Sequence, residues 1–259
     1  MRIFLAGATG VIGRRLLPRL VAAGHQVIGT SQSEQGVARI EAAGASGVRL
    51  DVFDRDAVAQ ALVVAAPEAV IHQLTALGGG SSADNARIRR DGTRHLVDAA
   101  HAARVPLMIA QSISWAYAPG DDQAGETVPL DTAAPEPRAT TIGGVRALED
   151  AVAELPRHVI LRYGTLYGPG TWYAPGGLMA DKLRAGELLA NDAVSSFLHV
   201  DDAAAATLAA LDWPDGPVNI TDDEPAAAHS WLPHLAAALD APVPVRSEGR
   251  SGWERGASN

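Results

Sequence analysis

Seven residues near the start of the chain, Gly7-Ala8-Thr9-Gly10-Val11-Ile12-Gly13, follow an apolar run, Ile3-Phe4-Leu5-Ala6, and lead into a helical pattern. Three glycines spaced three apart between a strand and a helix leave few folds open. Gly7 permits a tight turn, Gly10 lets a phosphate approach the backbone with no Cβ in the way, and Gly13 lets the helix pack on the strand. The N–H groups at the helix start face such an anion, and the positive end of the helix dipole adds to their pull. A strand, a glycine-rich turn and a helix, in that order, form the context a dinucleotide-binding fingerprint requires. Gly7, Thr9, Gly10, Val11, Ile12 and Gly13 are therefore expected to hold a pyrophosphate.

Short apolar runs and helical patterns alternate through the next 150 residues. Val27 and Ile28, and residues 48–50, 69–71, 107–109 and 159–161, read as parallel strands buried on both faces. Leu16, Leu17, Leu20 and Val21 form a helical stripe, as do Leu96, Val97 and Ala100; Pro18 falls inside the first of these helices and predicts a mild bend. The alternation predicts an α/β fold, a right-handed, doubly wound parallel sheet of the Rossmann type, with a small C-terminal substrate-binding lobe. Residues 1–165 plus 191–221 are expected to form the dinucleotide-binding domain, and 166–190 plus 222–259 the lobe. Two stretches break the pattern. Gly78-Gly79-Gly80-Ser81-Ser82 lies at the carboxyl edge of the sheet, where ligands bind, and residues 118–137 form a long loop with five acids and four prolines.

A net charge of −9 and the absence of any Lys/Arg cluster argue against nucleic acid or an anionic membrane as partner. The chain has no cysteine, which removes disulfides and thiolate chemistry, and its His and Asp residues show no metal spacing. Met1-Arg2 leads straight into the first strand, and no apolar run approaches the ~20 residues of a membrane span. These features predict a cytoplasmic protein acting on a small molecule.

The G-x-x-G-x-x-G spacing resembles that of the extended and atypical short-chain dehydrogenase/reductases, the superfamily that includes NAD-dependent epimerases and dehydratases. The resemblance continues through Asp51-Val52, Asp91-Gly92-Thr93, Arg162-Tyr163-Gly164-Thr165-Leu166-Tyr167-Gly168-Pro169-Gly170, Phe197-Leu198-His199-Val200-Asp201-Asp202 and Val218-Asn219-Ile220. It implies that Asp51 and Val52 meet the adenine and that Tyr163, Gly164 and Thr165 meet the nicotinamide carboxamide. Gln73, Leu74 and Thr75 after the fourth strand, with Ser112 at the end of the fifth, complete the expected cofactor set. Relatives often dimerise through helices near residues 92–103 and 142–154, which implies a homodimer. Relatives with an ending like Gly256-Ala257-Ser258-Asn259 usually continue through another helix.

The second strand ends Gly29-Thr30-Ser31-Gln32-Ser33, with no acid before Glu34 to accept hydrogen bonds from a ribose 2′-OH. Thr30, Ser31, Gln32 and Ser33 can donate to a 2′-phosphate, and Arg14 and Arg15 supply positive charge, so NADP is the expected cofactor and NAD the alternative. Gln32 stands where relatives reading Thr-Arg-Ser place a base.

The Tyr-x-x-x-Lys pair usual in these enzymes is missing. Its lysine lowers the tyrosine pKa so that the phenol can move a proton near neutral pH. Alignment through Glu149 puts Thr141 at the tyrosine and Val145 at the lysine, and Lys182 is the only lysine in the chain. Ser112, Tyr117 and Thr141 remain as catalytic candidates, and Tyr167, Trp172 and Tyr173 as aromatic substrate contacts. His199 and Asp202 resemble a structural segment whose acid caps the next helix; His72 reads as a core residue. Three functions stay open. The first is an NAD(P)-dependent oxidoreductase acting on a small carbonyl or hydroxyl compound, cyclic and sugar-like ones included. The others are a non-redox isomerase, epimerase, cyclase or dehydratase on the same fold, and an NAD(P)-binding regulator of the NmrA type.

Overall fold

The computed structural model describes residues 1–76 and 81–259. Gly78, Gly79 and Gly80 lie outside the described residues. In chain order the strands are β1 (Arg2–Ala6), β2 (Gln26–Ser31), β3 (Ser46–Arg49), β4 (Ala69–His72), β5 (Leu107–Ile113), β6 (Arg157–Tyr163), β7 (Thr165–Tyr167), β8 (Leu189–Ala190), β9 (Val194–Ser195), β10 (Phe197–His199), β11 (Gly216–Ile220), β12 (Ala226–Ala227) and β13 (Val245–Arg246). The α-helices are α1 (Gly13–Ala22), α2 (Glu34–Ala42), α3 (Arg55–Ala65), α4 (Ser82–Arg87), α5 (Thr93–Ala102), α6 (Arg138–Val152), α7 (Leu178–Arg184), α8 (Val200–Ala209) and α9 (Ala228–Ala238), with a π-helical turn at Ile88–Gly92.

Seven strands form the main sheet in the order β11-β6-β5-β4-β1-β2-β3. The six strands β3-β2-β1-β4-β5-β6 give the order of a doubly wound dinucleotide fold, whose switch point lies between β1 and β4. The register pairs Ile3 with Val27 and Ala69, and every ladder from β3 across to β5 is parallel. Helices begin where side chains can cap them: Ser33 accepts the Gly36 N–H at α2, Asp54 the Ala57 N–H at α3, and Ser81 with Asp84 forms a capping box at α4. In α1 the stripe Gly13, Leu16, Leu17 and Leu20 is buried, and the helix runs on past Pro18, which is exposed.

The chain divides into two compact units, each described by itself. The first, Met1–Ser112, Thr132–Leu161 and Ala204–Val218, contains β1 to β4 and most of the helices. One of its cores joins Phe4, Val70 and Met108 of the sheet to Val58 and Leu62 of α3, Leu96 and Val97 of α5, and Leu148 and Val152 of α6. The second unit, Ile113–Asp131, Arg162–Ala203 and Asn219–Asn259, holds the two-stranded pairs β7/β10, β9/β12 and β8/β13. Its core gathers Leu183, Ala190, Ala228, Leu232 and Ala236. Residues 256–259 are stitched into this unit. Ser258 N–H donates to Ala124 O at 3.1 Å, Ser196 Oγ and the backbone of Ala257 exchange two 2.8 Å bonds, and the Asn259 side-chain oxygen accepts from Thr221 N–H and Oγ1. Among the described residues no helix is long and apolar enough to cross a membrane.

Candidate functional site

In the first unit the glycine-rich turn joins β1 to α1. Gly7 has φ +90°, and a Cβ there would lie 2.8 Å from the Gln73 carbonyl carbon; one at Gly13 would overlap Gly7 O. The protein's own packing therefore demands both glycines. Gly10 differs: it is exposed, and a Cβ would meet only Gly7 O at 3.3 Å and Gln73 O at 4.0 Å. Among the described residues no side chain comes within 4 Å of that position, which fits close approach by a ligand. The Arg14 N–H is taken up by Gly10 O and the Arg15 and Leu16 N–H groups by Ile12 O, so the donors that suit an anion are those of residues 11–13.

Of the other expected residues of this unit, Ser31, Gln73 and Leu74 lie against that turn. Gly7 N–H donates to Thr30 Oγ1, Thr9 Oγ1 and Ser31 Oγ lie 3.4 Å apart, and Gln73 N–H donates to Ala6 O. Gln32 Nε2 reaches Asp51 Oδ1 at 3.4 Å, and that oxygen also accepts the Phe53 N–H. Val52 is a core residue whose carbonyl faces His95 Nδ1 at 2.8 Å. The hydroxyls at the end of β2 already have work: Ser33 caps α2, and Ser31 Oγ accepts the Ser33 N–H and packs on Gly36. A cavity of about 460 Å³ opens beside them, lined by Gln32, Arg49, Leu50, Asp51, Asp54 and Ala57.

At the ends of β4 and β5 lies a buried polar network. Leu74 N–H donates to His72 Nδ1 at 3.2 Å, which leaves the ring proton on Nε2 to donate to Thr93 Oγ1 at 2.9 Å. Burial, with the Arg89 charge second, pushes the His72 pKa down to about 4, so the ring is neutral. Ser112, 1 % exposed, donates to Glu149 Oε1 at 2.6 Å. Burial lowers the Arg89 guanidinium to about 10, while attraction to Glu149 opposes the shift, so Arg89 remains charged at neutral pH. Ser112 has one hydroxyl hydrogen and gives it to Glu149, so toward anything else it is an acceptor. On α6, Thr141 is half-buried and Val145 is fully buried, so the lysine position of the usual pair is a core position here.

Tyr117 belongs to the second unit and is also 1 % exposed. Its hydroxyl donates to Asn219 Oδ1 at 2.6 Å and accepts from Arg162 Nη1 at 3.0 Å, and the Arg162 guanidinium sits 5.0 Å from the centre of its ring. Burial raises its pKa, against the pull of Arg162. Asn219 ties the same cluster to Ala124 O, Ser258 O and the Glu126 carboxylate. Tyr163 is buried, Gly164 sits where a Cβ would meet Ser196 O at 2.7 Å, and Thr165 pairs with Phe197 across β7/β10.

The aromatic candidates of this unit meet partners that sequence reasoning did not name for the site. Tyr167 packs edge-on against Phe197 and His199, and Tyr173 against Phe197 and Trp231, with centroids 5.1 to 6.2 Å apart. Burial lifts the Tyr173 phenol to about 12. Tyr167 and Trp172 stay exposed. One expectation is corrected: the side chain bonded at the start of α8 is His199, whose Nδ1 accepts the Asp201 N–H at 3.3 Å. Asp202 lies inside the first turn, where its charge suits the helix dipole. The sequence reading also missed Glu149 and Asn219 as hydroxyl partners, and Arg49 beside Gln32. Only the ladder register, Ser31 opposite Arg49, signals the last.

Comparison with known proteins agrees with this fold. The profile of the NAD dependent epimerase/dehydratase family matches residues 3–221. A Streptomyces protein named 3-diazoavenalumate denitrifying reductase is 44% identical over 257 residues, 94% of this chain and 83% of that protein. Among solved structures, the UDP-glucose 4-epimerase of Thermus thermophilus in complex with NAD superposes with a TM-score of 0.76 at 22% identity, covering 100% of this chain and 90% of that one. The Bordetella bronchiseptica enzyme WbmH in complex with NAD+ gives 0.77 at 21%, covering 96% and 85%. At that identity the two structures attest the fold alone. The glycine turn, the strand order and the matched span agree, and the chain belongs to the NAD dependent epimerase/dehydratase family.

Proposed function

We propose that the protein is a nicotinamide-dinucleotide-dependent reductase, with NADP as its dinucleotide, whose substrate is a carboxylate bearing a diazo group. The observation that carries this reading is the state of the candidate proton donors. Ser112 and Tyr117 are interior and give their hydrogens to Glu149 and Asn219. Val145 fills the lysine position inside the core. Reduction of a carbonyl needs both a hydride and a proton, and oxidation of a hydroxyl needs a base; this chain equips neither of those roles in the usual way. A diazonium carbon asks for less: a hydride replaces dinitrogen, the C–N bond breaks as the C–H bond forms, and no proton is required of the protein. The substrate class is the one that the 44% identical relative is named for.

When bound, the dinucleotide supplies that hydride. The chain's own residues bind and orient. Gly7, Thr9, Gly10, Val11, Ile12 and Gly13 hold the pyrophosphate, Asp51 and Val52 border the adenine, and Gln73 to Thr75 line the adjoining edge of the sheet. Ser112 stays fixed by Glu149 and offers lone pairs, which suit a carboxamide N–H or a cationic diazonium group and do not suit an oxyanion. Tyr163, Gly164 and Thr165 are assigned to the nicotinamide side. Thr141, the one catalytic candidate left with a partly exposed side chain, bonds substrate, and Tyr167, Trp172 and Tyr173 give it aromatic surface. Tyr117 holds the second unit together and takes no part in proton transfer.

The test is turnover of a diazo-bearing aromatic carboxylate with 4-deuterated NADPH. Dinitrogen release matched to NADPH oxidation, with deuterium on the former diazo carbon, supports the reading. Steady reduction of ordinary carbonyl compounds with no dinitrogen release overturns it.

A further inference from the structure

The end of β2 holds no cation, and three of the polar residues there are committed. Ser33 caps α2, Ser31 accepts the Ser33 N–H, and Thr30 is buried against the Gly7 N–H. One strand over, Arg49 ends β3 directly opposite Ser31 in the parallel ladder. It lines the 460 Å³ cavity together with Gln32. Arg49 Nη1 lies 3.2 Å from Glu34 Oε1, and the two side chains are 65% and 76% exposed. A pair so exposed is weakly held and readily exchanged for a better anion.

We propose that this cavity takes the 2′-phosphate of NADP and that Arg49, reaching from β3, selects NADP over NAD. Glu34 holds the guanidinium while the cavity is free. The proposal rests on the dinucleotide reading above. It moves the phosphate-reading charge away from Arg14 and Arg15 and from the second strand, where Gln32 has no charge to offer. A guanidinium fork matches phosphate oxygens, and Gln32 adds a neutral donor beside it. The acids of the cavity limit the gain. Asp51 and Asp54 spend an oxygen each on the Phe53 and Ala57 N–H groups, yet their charges still oppose a phosphate. Preference for NADPH over NADH is therefore modest, about tenfold, the worth of one charge-assisted contact.

The experiment is calorimetric titration of NADPH, NADH, adenosine 2′,5′-bisphosphate and AMP into the wild-type protein, Arg49→Gln and Glu34→Gln. Arg49→Gln should weaken NADPH and the bisphosphate by about tenfold and leave NADH and AMP within about twofold. Glu34→Gln should tighten NADPH severalfold by freeing the guanidinium. The wild-type preference should shrink as salt rises from about 0.05 to about 0.5 M, because the site is open to screening. Equal effects of Arg49→Gln on phosphorylated and unphosphorylated ligands, or no effect on either, overturn the assignment while leaving dinucleotide binding standing. Loss of NADH affinity in Glu34→Gln overturns it too, by making Glu34 a ribose-binding acid. Failure of the wild-type protein to bind either dinucleotide overturns the dinucleotide reading and this inference with it.

Discussion

Ser112 gives its only hydroxyl hydrogen to Glu149, 2.6 Å away, and both side chains are buried. The bond joins the end of β5 to α6 and fixes which way the serine lone pairs face. Removing the hydroxyl leaves a buried carboxylate short of a donor. Ser112→Ala should therefore lower unfolding free energy by about 1–3 kcal/mol, read from urea denaturation, while turnover per folded molecule falls less than about tenfold. A loss of about 10² or more with stability intact would give Ser112 a direct chemical role.

Tyr117→Phe separates chemistry from packing in the second unit. It removes one donor to Asn219 and one acceptor for Arg162 and keeps the ring. Stability should drop by about 1–3 kcal/mol, and kcat should stay within about threefold of wild type. A fall of about 10²–10⁴ in kcat with an unchanged melting curve would make Tyr117 the acid after all.

The strand order and the glycine turn were legible because both are written locally. Ile3 to Gly13 carry strand, turn and helix within a dozen residues, and the later strands are runs of Val, Ile and Leu bounded by polar turns. The fate of each hydroxyl was not legible. Ser112 meets Glu149 across 37 positions and Tyr117 meets Asn219 across 102, and a serine or tyrosine looks the same in sequence whether its proton is spent or free. Arg49 was hidden for a related reason: its nearness to Ser31 is a property of the ladder, not of the chain. At the start of α8 the capping rule pointed to the acid, but the imidazole one residue before the helix reached the N–H first.

Restoring the missing pair should fail. Val145 is fully buried, so a lysine ammonium there would be taken out of water, and the nearest carboxylate along α6, the buried Glu149 one turn on, is already held by Ser112. Val145→Lys, alone or with Thr141→Tyr, should cost several kcal/mol of stability, seen as a lower melting temperature, and should confer no carbonyl reduction. A stable double variant that reduces ketones would overturn the assignment of this position to the core.

Acid should loosen the first unit through His72. Its ordinary pKa is 6.5, and in the fold it is held at about 4. Below pH 6.5 the unfolded chain takes up the proton that the folded one refuses, so stability is complete above that pH and is lost as pH falls toward 4. At about pH 5 the loss is about 2 kcal/mol, from about 1.36 kcal/mol per unit. Chemical denaturation at neutral pH and at about pH 5 measures it, and His72→Gln, which cannot titrate, should flatten the difference. An equal loss in that variant would place the acid sensitivity elsewhere.

Gly10 and Gly13 should respond oppositely to a single methyl group. Gly13→Ala forces a Cβ onto Gly7 O, which packing cannot absorb, and should abolish stable folding. Gly10→Ala brings a Cβ to 3.3 Å from Gly7 O, a tight approach that a shift of a few tenths of an ångström relieves, and should change stability by no more than about 1 kcal/mol, yet weaken dinucleotide binding about tenfold or more. Melting curves and a titration on each variant decide the matter; intact dinucleotide affinity in Gly10→Ala would remove the phosphate from that turn.

The stitching of residues 256–259 into the second unit sets a clock on the ribosome. Ala124 receives its partner from Ser258, 134 positions later, and Asn219 from the same residue. At about 5–20 residues per second that interval lasts roughly 7 to 27 s. Until it ends the Ala124 carbonyl, and Ser196 Oγ once that residue is made, must wait in water, however soon the glycine turn and its first strands have settled. A nascent chain stalled before residue 256 would thus carry an open second unit, exposed to proteases and chaperones at its 113–131 loop.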